Sequence, residues 1–233
     1  MITGIRGSSF ELKIIYDNDI HPEAKSLRLS KAWGFSALLR QGGETVLFDC
    51  GWRGSLLLRN MKLMGEDPSL INKIIISHDH WDHIGGLSET LSEARNAEVF
   101  VGRSLSNTHK REIGNMAPLR EIDGPQSINE WLSTPGELEG QMREVSLVVH
   151  SSSRYVVITG CAHPGLDLIL ERASSIYGDI YGAVGGFHGF REISAITYLS
   201  FVVPCHCTRH KKLFFREFGS KAMPGGAGFT MNL

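Results

Sequence analysis

Residues 78–83 read HDHWDH, three histidines and two aspartates in six positions, directly after the apolar run KIII of residues 73–76. Burying that many polar groups without partners would cost on the order of 1–3 kcal/mol each. A divalent cation offsets that cost. Imidazole and carboxylate are the donors that Zn2+ and Fe2+ accept. His78 and His80 stand two apart, so in an extended segment they point the same way. Asp82 and His83 follow where the chain turns, and neighbours at a turn can face a second ion. Gly85 and Gly86 permit tight backbone geometry before the next helix. A solvated polar loop explains a lone H-x-H better than it explains H-x-H-x-D-H between a strand and a Gly-Gly helix start.

The four cysteines, Cys50, Cys161, Cys205 and Cys207, are too few and too scattered for a disulfide scaffold in a chain of 233 residues. "PCHCT" is C-x-C and lacks the knuckles of a structural zinc site. They read as buried free thiols. Their company is unusual: Cys161 lies two residues before His163, and Cys205 and Cys207 bracket His206.

The chemistry needs a frame. Hydrophobic residues at 42% and charged residues at 21% are ordinary globular values. A formal net charge of -1 provides no basic field for nucleic acid or an anionic membrane. No apolar run approaches the roughly 20 residues that span a bilayer. The N-terminal residues show no basic-then-apolar leader pattern. A cytoplasmic protein acting on a small molecule is the expectation, with neither nucleic acid nor membrane as partner.

Strand-type runs are ELKIIYD, GFSALLR, ETVLFD, KIIIS, AEVFV, EVSLVVH, YVVITG and SFVVPC. QGGET joins two of them as a hairpin turn. Helical patterns cover 54–65, 85–96, 165–178 and 208–219. The first ends at Gly65. The third carries apolar residues at 166, 169, 170, 173 and 176. The fourth offers Thr208 as N-cap and Gly219 as stop. Residues 102–143 read as turns, short strands and loop. Antiparallel strands followed by strand–helix alternation predict two sheets with helices outside, in one domain over 1–233.

The segment His78-Asp79-His80-Trp81-Asp82-His83 resembles the HxHxDH signature of the metallo-β-lactamase superfamily. Other stretches match in order: LFDCG (47–51), TGCAHPG (159–165) and VVPCHCT (202–208). The resemblance spans roughly residues 11–218. It implies an α+β fold, a four-layer αββα sandwich with metals at one edge of the sheets. It also implies zinc, one or two ions, with iron or manganese as substitutes. Carried over by position, His78, His80 and His163 would hold one ion, and Asp82, His83 and His206 the other. Asp49 would orient a ligand histidine. The family's bridging aspartate is expected after the strand in DIYGAVGGFHGF (179–190), where this chain has His188. The pieces IIYDN, GFSALL, NMKLMG, GGFH and PCHCT resemble a subgroup, the dihydropterin–ribofuranosylaminobenzene phosphate synthase-like proteins.

Two activities fit. In a hydrolase, water made acidic by the ion, with a pKa lowered to about 7, attacks a phosphoryl or acyl centre. Asp82 would orient it, and His188 would donate a proton or contact an anionic oxygen. In a synthase joining a pterin to an arylamine, the ions would stabilise a departing diphosphate. An anionic substrate would draw on Arg209 and Lys211, or on Lys110 and Arg111. Trp81 and Phe187, with Trp33, Phe35 and Phe190, are candidates for an aromatic wall.

Overall fold

A computed structural model describes residues 10–151 and 154–233. Alternation of side chains along each strand builds it. In Ile74-Ile75-Ile76 the middle residue faces one way and its neighbours the other. Ile75 belongs to a core cluster shared by both sheets, whereas Ile74 and Ile76 pack with helical residues on the outside. Ile14 and Ile15 divide the same way, as do Val202 and Val203.

The first sheet contains β1 (Glu11–Tyr16), β2 (Ser36–Gln41), β3 (Glu44–Phe48), β4 (Lys73–Ile76), β5 (Glu98–Gly102) and β6 (Leu119–Ile122) in that order. The second holds β7 (Gln126–Ser127) and β8 (Leu132–Thr134). A separate small ribbon pairs β9 (Glu137–Leu138) with β10 (Glu144–Val145). The second sheet continues with β11 (Leu147–Ser151), β12 (Arg154–Thr159), β13 (Ile180–Gly186) and β14 (Phe201–Cys205), in the order β14-β13-β12-β11-β8-β7. β15 (Thr230–Asn232) returns to pair with β1. Strands β3 to β6 run parallel, and so do β12 to β14.

Leu57 and Met61 of α1 (Gly54–Leu63) pack on the outer face of the first sheet. A short α2 (Trp81–Ile84) follows β4. Leu87 and Leu91 of α3 (Leu87–Glu93) complete that layer, with Ile113 of α4 (Asn107–Gly114). The second sheet is covered by Leu166, Ile169, Leu170 and Ala173 of α5 (Leu166–Tyr177), and by Phe214 and Phe218 of α6 (Lys211–Phe218). Helices, sheet, sheet and helices make the four-layer α+β sandwich. Among the described residues no helix is long and apolar enough to cross a membrane.

The β2–β3 turn is the tight hairpin expected: Gly42 and Gly43 both have positive φ, at 62° and 86°. Four local readings need correction. EVSLVVH is not one strand but β10 and β11, because Glu144 and Val145 pair with β9 in the small ribbon whereas Leu147 onward pairs with β8 and β12. Thr208 does not cap α6. Its hydroxyl accepts from Phe187 N and donates to Cys205 O, and the helix begins after His210. Ile176 is exposed although it extends the apolar stripe of α5. The 102–143 stretch contains α4, capped by the Ser106 side chain, whose weak apolar pattern buries only Ile113.

Candidate metal centre

Strands β3, β4, β12, β13 and β14 all send their C-terminal ends to one edge of the sandwich, where ligands commonly bind in sheets of parallel strands. Asp49 follows β3, and His78 and His80 follow β4. Cys161 and His163 follow β12, His188 follows β13, and His206 follows β14. The single turn of α2 buries Asp82 and His83 while Trp81 beside them is left 51% exposed.

Hydrogen bonds fix which imidazole nitrogen is free. Asp49, fully buried, accepts from Ser77 N at 2.7 Å, from Ser77 Oγ at 2.7 Å and from His83 Nδ1 at 2.6 Å. The Ser77 hydroxyl thereby faces His78 Nδ1 at 2.8 Å as an acceptor. His206 Nδ1 donates to Asn18 Oδ1 at 3.0 Å, and His206 N to Asp17 Oδ2 at 2.9 Å. Each ring is therefore held by one nitrogen and presents the lone pair of the other, Nε2.

Those lone pairs converge. His78 Nε2 and His80 Nδ1 stand 2.9 Å apart, and the His163 ring lies 4.8 and 4.9 Å from the His78 and His80 rings. On the other side, Asp82 Oδ2 is 3.3 Å from His206 Nε2 and 3.8 Å from His83 Nε2. The Asp82–His206 approach is an ion-pair contact without hydrogen-bond geometry, so His206 Nε2 stays unpartnered, as does His163 Nε2, and both are buried. Donor atoms of His78, Cys161 and His163 lie within 4.8 Å of one another, as do those of His83, Cys161 and His206. Buried lone pairs without protein partners, in an imidazole-rich set, fit divalent metal ions.

The backbone is strained here. Of the described non-glycine residues with positive φ, Asp49 (60°), Ala162 (58°), His188 (43°) and His206 (43°) all lie at this edge. Such conformations cost on the order of 1 kcal/mol each and persist only where surroundings enforce them. Gly160 is needed for a different reason: a Cβ there would collide with the Ser77 hydroxyl that serves Asp49 and His78.

Electrostatics separate the two clusters. Burial pushes His163 down to about 4, helped by His80 and His188 alongside. Burial likewise lowers His78 well below 6.5. For Asp82, burial raises the carboxyl, but the His206 and His83 rings overcome this and hold it well below the usual carboxylate range. In turn, burial would lower His206, yet the Asp82 carboxylate outweighs it and raises His206 above 6.5. A proton and an ion compete for His206 Nε2, so falling pH favours the proton. His78 and His163 are already neutral at mildly acid pH. Acidification from about pH 8 to about pH 5.5 is therefore expected to release the ion beside His206 first and to leave the one beside His163. For protein loaded with an ion at each cluster, elemental analysis after dialysis should show metal content falling by half; simultaneous loss of both ions would contradict this.

Several working residues had no assigned role in the sequence reading. Asp17 and Asn18, 189 and 188 residues from His206, hold it in place. Ser77 couples Asp49 to His78. Glu144 is buried and accepts from four successive backbone amides, Gly160 (3.0 Å), Cys161 (2.9 Å), Ala162 (3.0 Å) and His163 (2.8 Å).

The rim also departs from expectation. His188 turns its ring toward His163 at 4.9 Å, beside a cleft of 380 Å3 that also touches Gly140 and Phe190. Phe187 is buried against Phe214 and is core, not wall. Phe35 is fully buried. Lys110 is tied to Glu121 and to Arg103 O, and Lys211 to Asp19 at 2.8 Å, so neither cation is left unpaired. Arg209 lines a 760 Å3 basic cavity with Arg191, Lys212 and Arg216. Near the histidines, exposed aromatic surface comes from Trp33 (53%), Trp52 (49%) and Trp81 (51%). Trp33 lies 5.5 Å from the His206 ring, and Trp52 meets Trp81 at 4.8 Å.

Comparison with known proteins bears on the family and the fold. The profile of the Metallo-beta-lactamase superfamily matches residues 34–173. The chain is 27% identical to a 7,8-dihydropterin-6-methyl-4-(beta-D-ribofuranosyl)-aminobenzene-5'-phosphate synthase of Methanocaldococcus jannaschii, over 75% of this chain and 80% of that one. A crystal structure described as a metal-dependent hydrolase of the beta-lactamase superfamily superposes with a TM-score of 0.76 at 25% identity, covering 96% of this chain and 99% of that chain. A ribonuclease Z of Treponema denticola is 48% identical over a shorter stretch, 42% of this chain and 26% of its own length.

Proposed function

Because the chain belongs to the metallo-beta-lactamase superfamily, we propose that it is a cytoplasmic metal-dependent hydrolase acting on a small anionic substrate of phosphate or acyl type. His78, His80 and His163 would hold one ion, and Asp82, His83 and His206 a second, with zinc the best match to the donors. The observation that carries this reading is the pair of buried, unpartnered Nε2 atoms on His163 and His206, aimed into two clusters. Bound there, such ions supply water that is acidic near neutral pH and positive charge for oxygens on which negative charge develops.

The chain's own residues do the rest. Asp49, Ser77 and Asn18 keep His83, His78 and His206 in the tautomers that present Nε2. Asp82, ionised, has one carboxylate oxygen facing His206 and would orient a water molecule with the other. His188, at the rim and half-buried, is placed to donate to a leaving oxygen over the 380 Å3 cleft. Arg209 and its basic neighbours would draw an anionic group.

A second reading is favoured by the tryptophans. Three exposed indoles beside the proposed metal centre suit a planar heterocycle, and the Methanocaldococcus relative is a synthase named for a 7,8-dihydropterin. The same ions would then steady a departing diphosphate. The two readings separate by experiment. Zinc-loaded protein is expected to turn over bis(p-nitrophenyl) phosphate or a lactone, and a chelator to abolish that turnover. Absence of turnover, together with quenching of tryptophan fluorescence by a pterin, would replace the hydrolase reading with the synthase reading.

A further inference from the structure

We propose that the basic cavity walled by Arg191, Arg209 and Lys212 binds a phosphomonoester group that the substrate carries apart from its reacting bond. The substrate class is then a small phosphorylated metabolite held at two points. This deepens the anionic-substrate reading above and rests on it only for the reacting end.

The cavity, 760 Å3 in volume, has five arginines and lysines among its lining residues and no carboxylate. That is a dense cluster in a chain whose formal net charge is -1. Elsewhere cations come with acids: Lys13 and Arg40 share Glu66, Lys73 meets Glu44, and Arg120 meets Glu98. Two of the five follow that pattern, Lys211 on Asp19 and Arg216 on Glu217. Among the described residues no carboxylate pairs with the side chain of Arg191, Arg209 or Lys212. Glu192 accepts only the backbone N–H of Arg191, at 3.2 Å. Lys211 and Lys212 also open α6, where the positive end of the helix disfavours cations, and its first turn contains no acid. Like charges gathered in this way repel one another, and a bound dianion relieves the repulsion.

The cluster is aimed as well as charged. Arg191 Nε donates to His210 Nε2 at 2.8 Å. One of the five guanidinium N–H groups is spent on orientation, and the four terminal ones are left to bind. Arg209 N donates to His188 O at 2.8 Å, which ties the cavity to the rim of the cleft over the histidines. His188 and Arg191 are three residues apart, at most about 11 Å along the chain. A small molecule can therefore reach both places. One guanidinium fork is enough for a carboxylate. Three unpaired cations, two of them guanidinia, match a group with two charges and three terminal oxygens. A polyanion fits less well, because the adjoining cleft carries Asp167 and Glu192.

The test is protection of the arginines of the full chain from phenylglyoxal, mapped by peptide mass spectrometry at mildly alkaline pH. The probe is phenylphosphonate, whose C–P bond an esterase leaves intact. Benzoate, with the same ring and one charge, is the control. At about four times its half-protecting concentration, phenylphosphonate should slow modification of Arg191 and Arg209 about fivefold. Benzoate at the same concentration should not. Lys212→Ala should raise the half-protecting concentration about tenfold, the loss of one charge-assisted hydrogen bond. Lys212→Arg should restore it. Equal protection by benzoate, no protection at all, or a half-protecting concentration unchanged in Lys212→Ala would overturn the proposal. So would a short single-stranded RNA that protects both arginines at far lower concentration than phenylphosphonate, which would mark a track for a polyanion. Bound zinc enters none of these measurements, so loss of the metal centre and loss of this site are told apart.

Discussion

His80→Ala is expected to lower turnover of the test substrate about 10^3-fold while leaving the protein folded. A bound ion supplies several kcal/mol of charge stabilisation, and about 4 kcal/mol corresponds to three decades. His80 is half-exposed, and its partner is His78 across 2.9 Å, which keeps Ser77 on its other nitrogen. Removing His80 therefore costs the proposed centre a ligand without orphaning a buried charge. His83→Ala should behave differently. His83 is fully buried and donates to Asp49, and its loss leaves a buried carboxylate with fewer partners. Breaking a buried pair in this way costs about 3–5 kcal/mol. For a chain of this size that is roughly a 10 °C fall in Tm, against a shift of a few degrees or less for His80→Ala. Calorimetry and initial rates together check the contrast. Equal thermal losses in the two variants, or near-wild-type turnover in His80→Ala, would show that the clusters are not what they are taken to be.

The contrast explains what was readable in the sequence. His78, His80, Asp82 and His83 announce themselves because neighbours in the chain share a task, and tasks shared by neighbours leave a spacing. The strands were readable for a related reason: Ile74-Ile75-Ile76 is β-branched, short and bounded. The positions that hold the histidines still showed no role of their own in the sequence. Asn18 acts on His206 across 188 residues and is otherwise an ordinary loop asparagine. Ser77 is the last residue of a strand-like run, and only the fold turns its hydroxyl toward Asp49. Cys161 was odd in its company but had no spacing that marks a ligand, because it meets His83 from the other sheet and His206 from two strands away in its own. The aromatic surface was half readable. Trp81 stands inside the motif, whereas Trp52 acquires its place only when α2 folds back against the loop after β3.

The segment pieces that looked like subgroup hallmarks acquire physical roles in the same way. IIYDN ends in Asp17 and Asn18, which together hold the backbone and ring of His206. GGFH and PCHCT bring His188 and His206 to the ends of adjacent parallel strands, with Arg209 N bonded back to His188 O at 2.8 Å. These contacts set the shape of the centre without touching what it would hold, so they carry positioning rather than chemistry.

Glu144 is the strongest case of such positioning, and its replacement should be graded. Its Oε1 accepts from Gly160, Cys161 and Ala162, and Oε2 from His163. Alanine there orphans four buried amides at about 1–3 kcal/mol each, with water entering the space to recover part of the loss. A destabilisation of at least about 4 kcal/mol is expected. Glutamine keeps one oxygen for the three amides and turns an NH2 toward His163 N–H, so it leaves one donor unpaired at about 1–3 kcal/mol. Metal content after loading should follow the same order, because the loop carries both Cys161 and His163. Denaturant titration gives the stabilities, and elemental analysis gives the metal. Should Glu144→Ala match the wild type in both, the loop would be held by its own left-handed turn. The buried carboxylate would then be a passenger, although four amides converge on it.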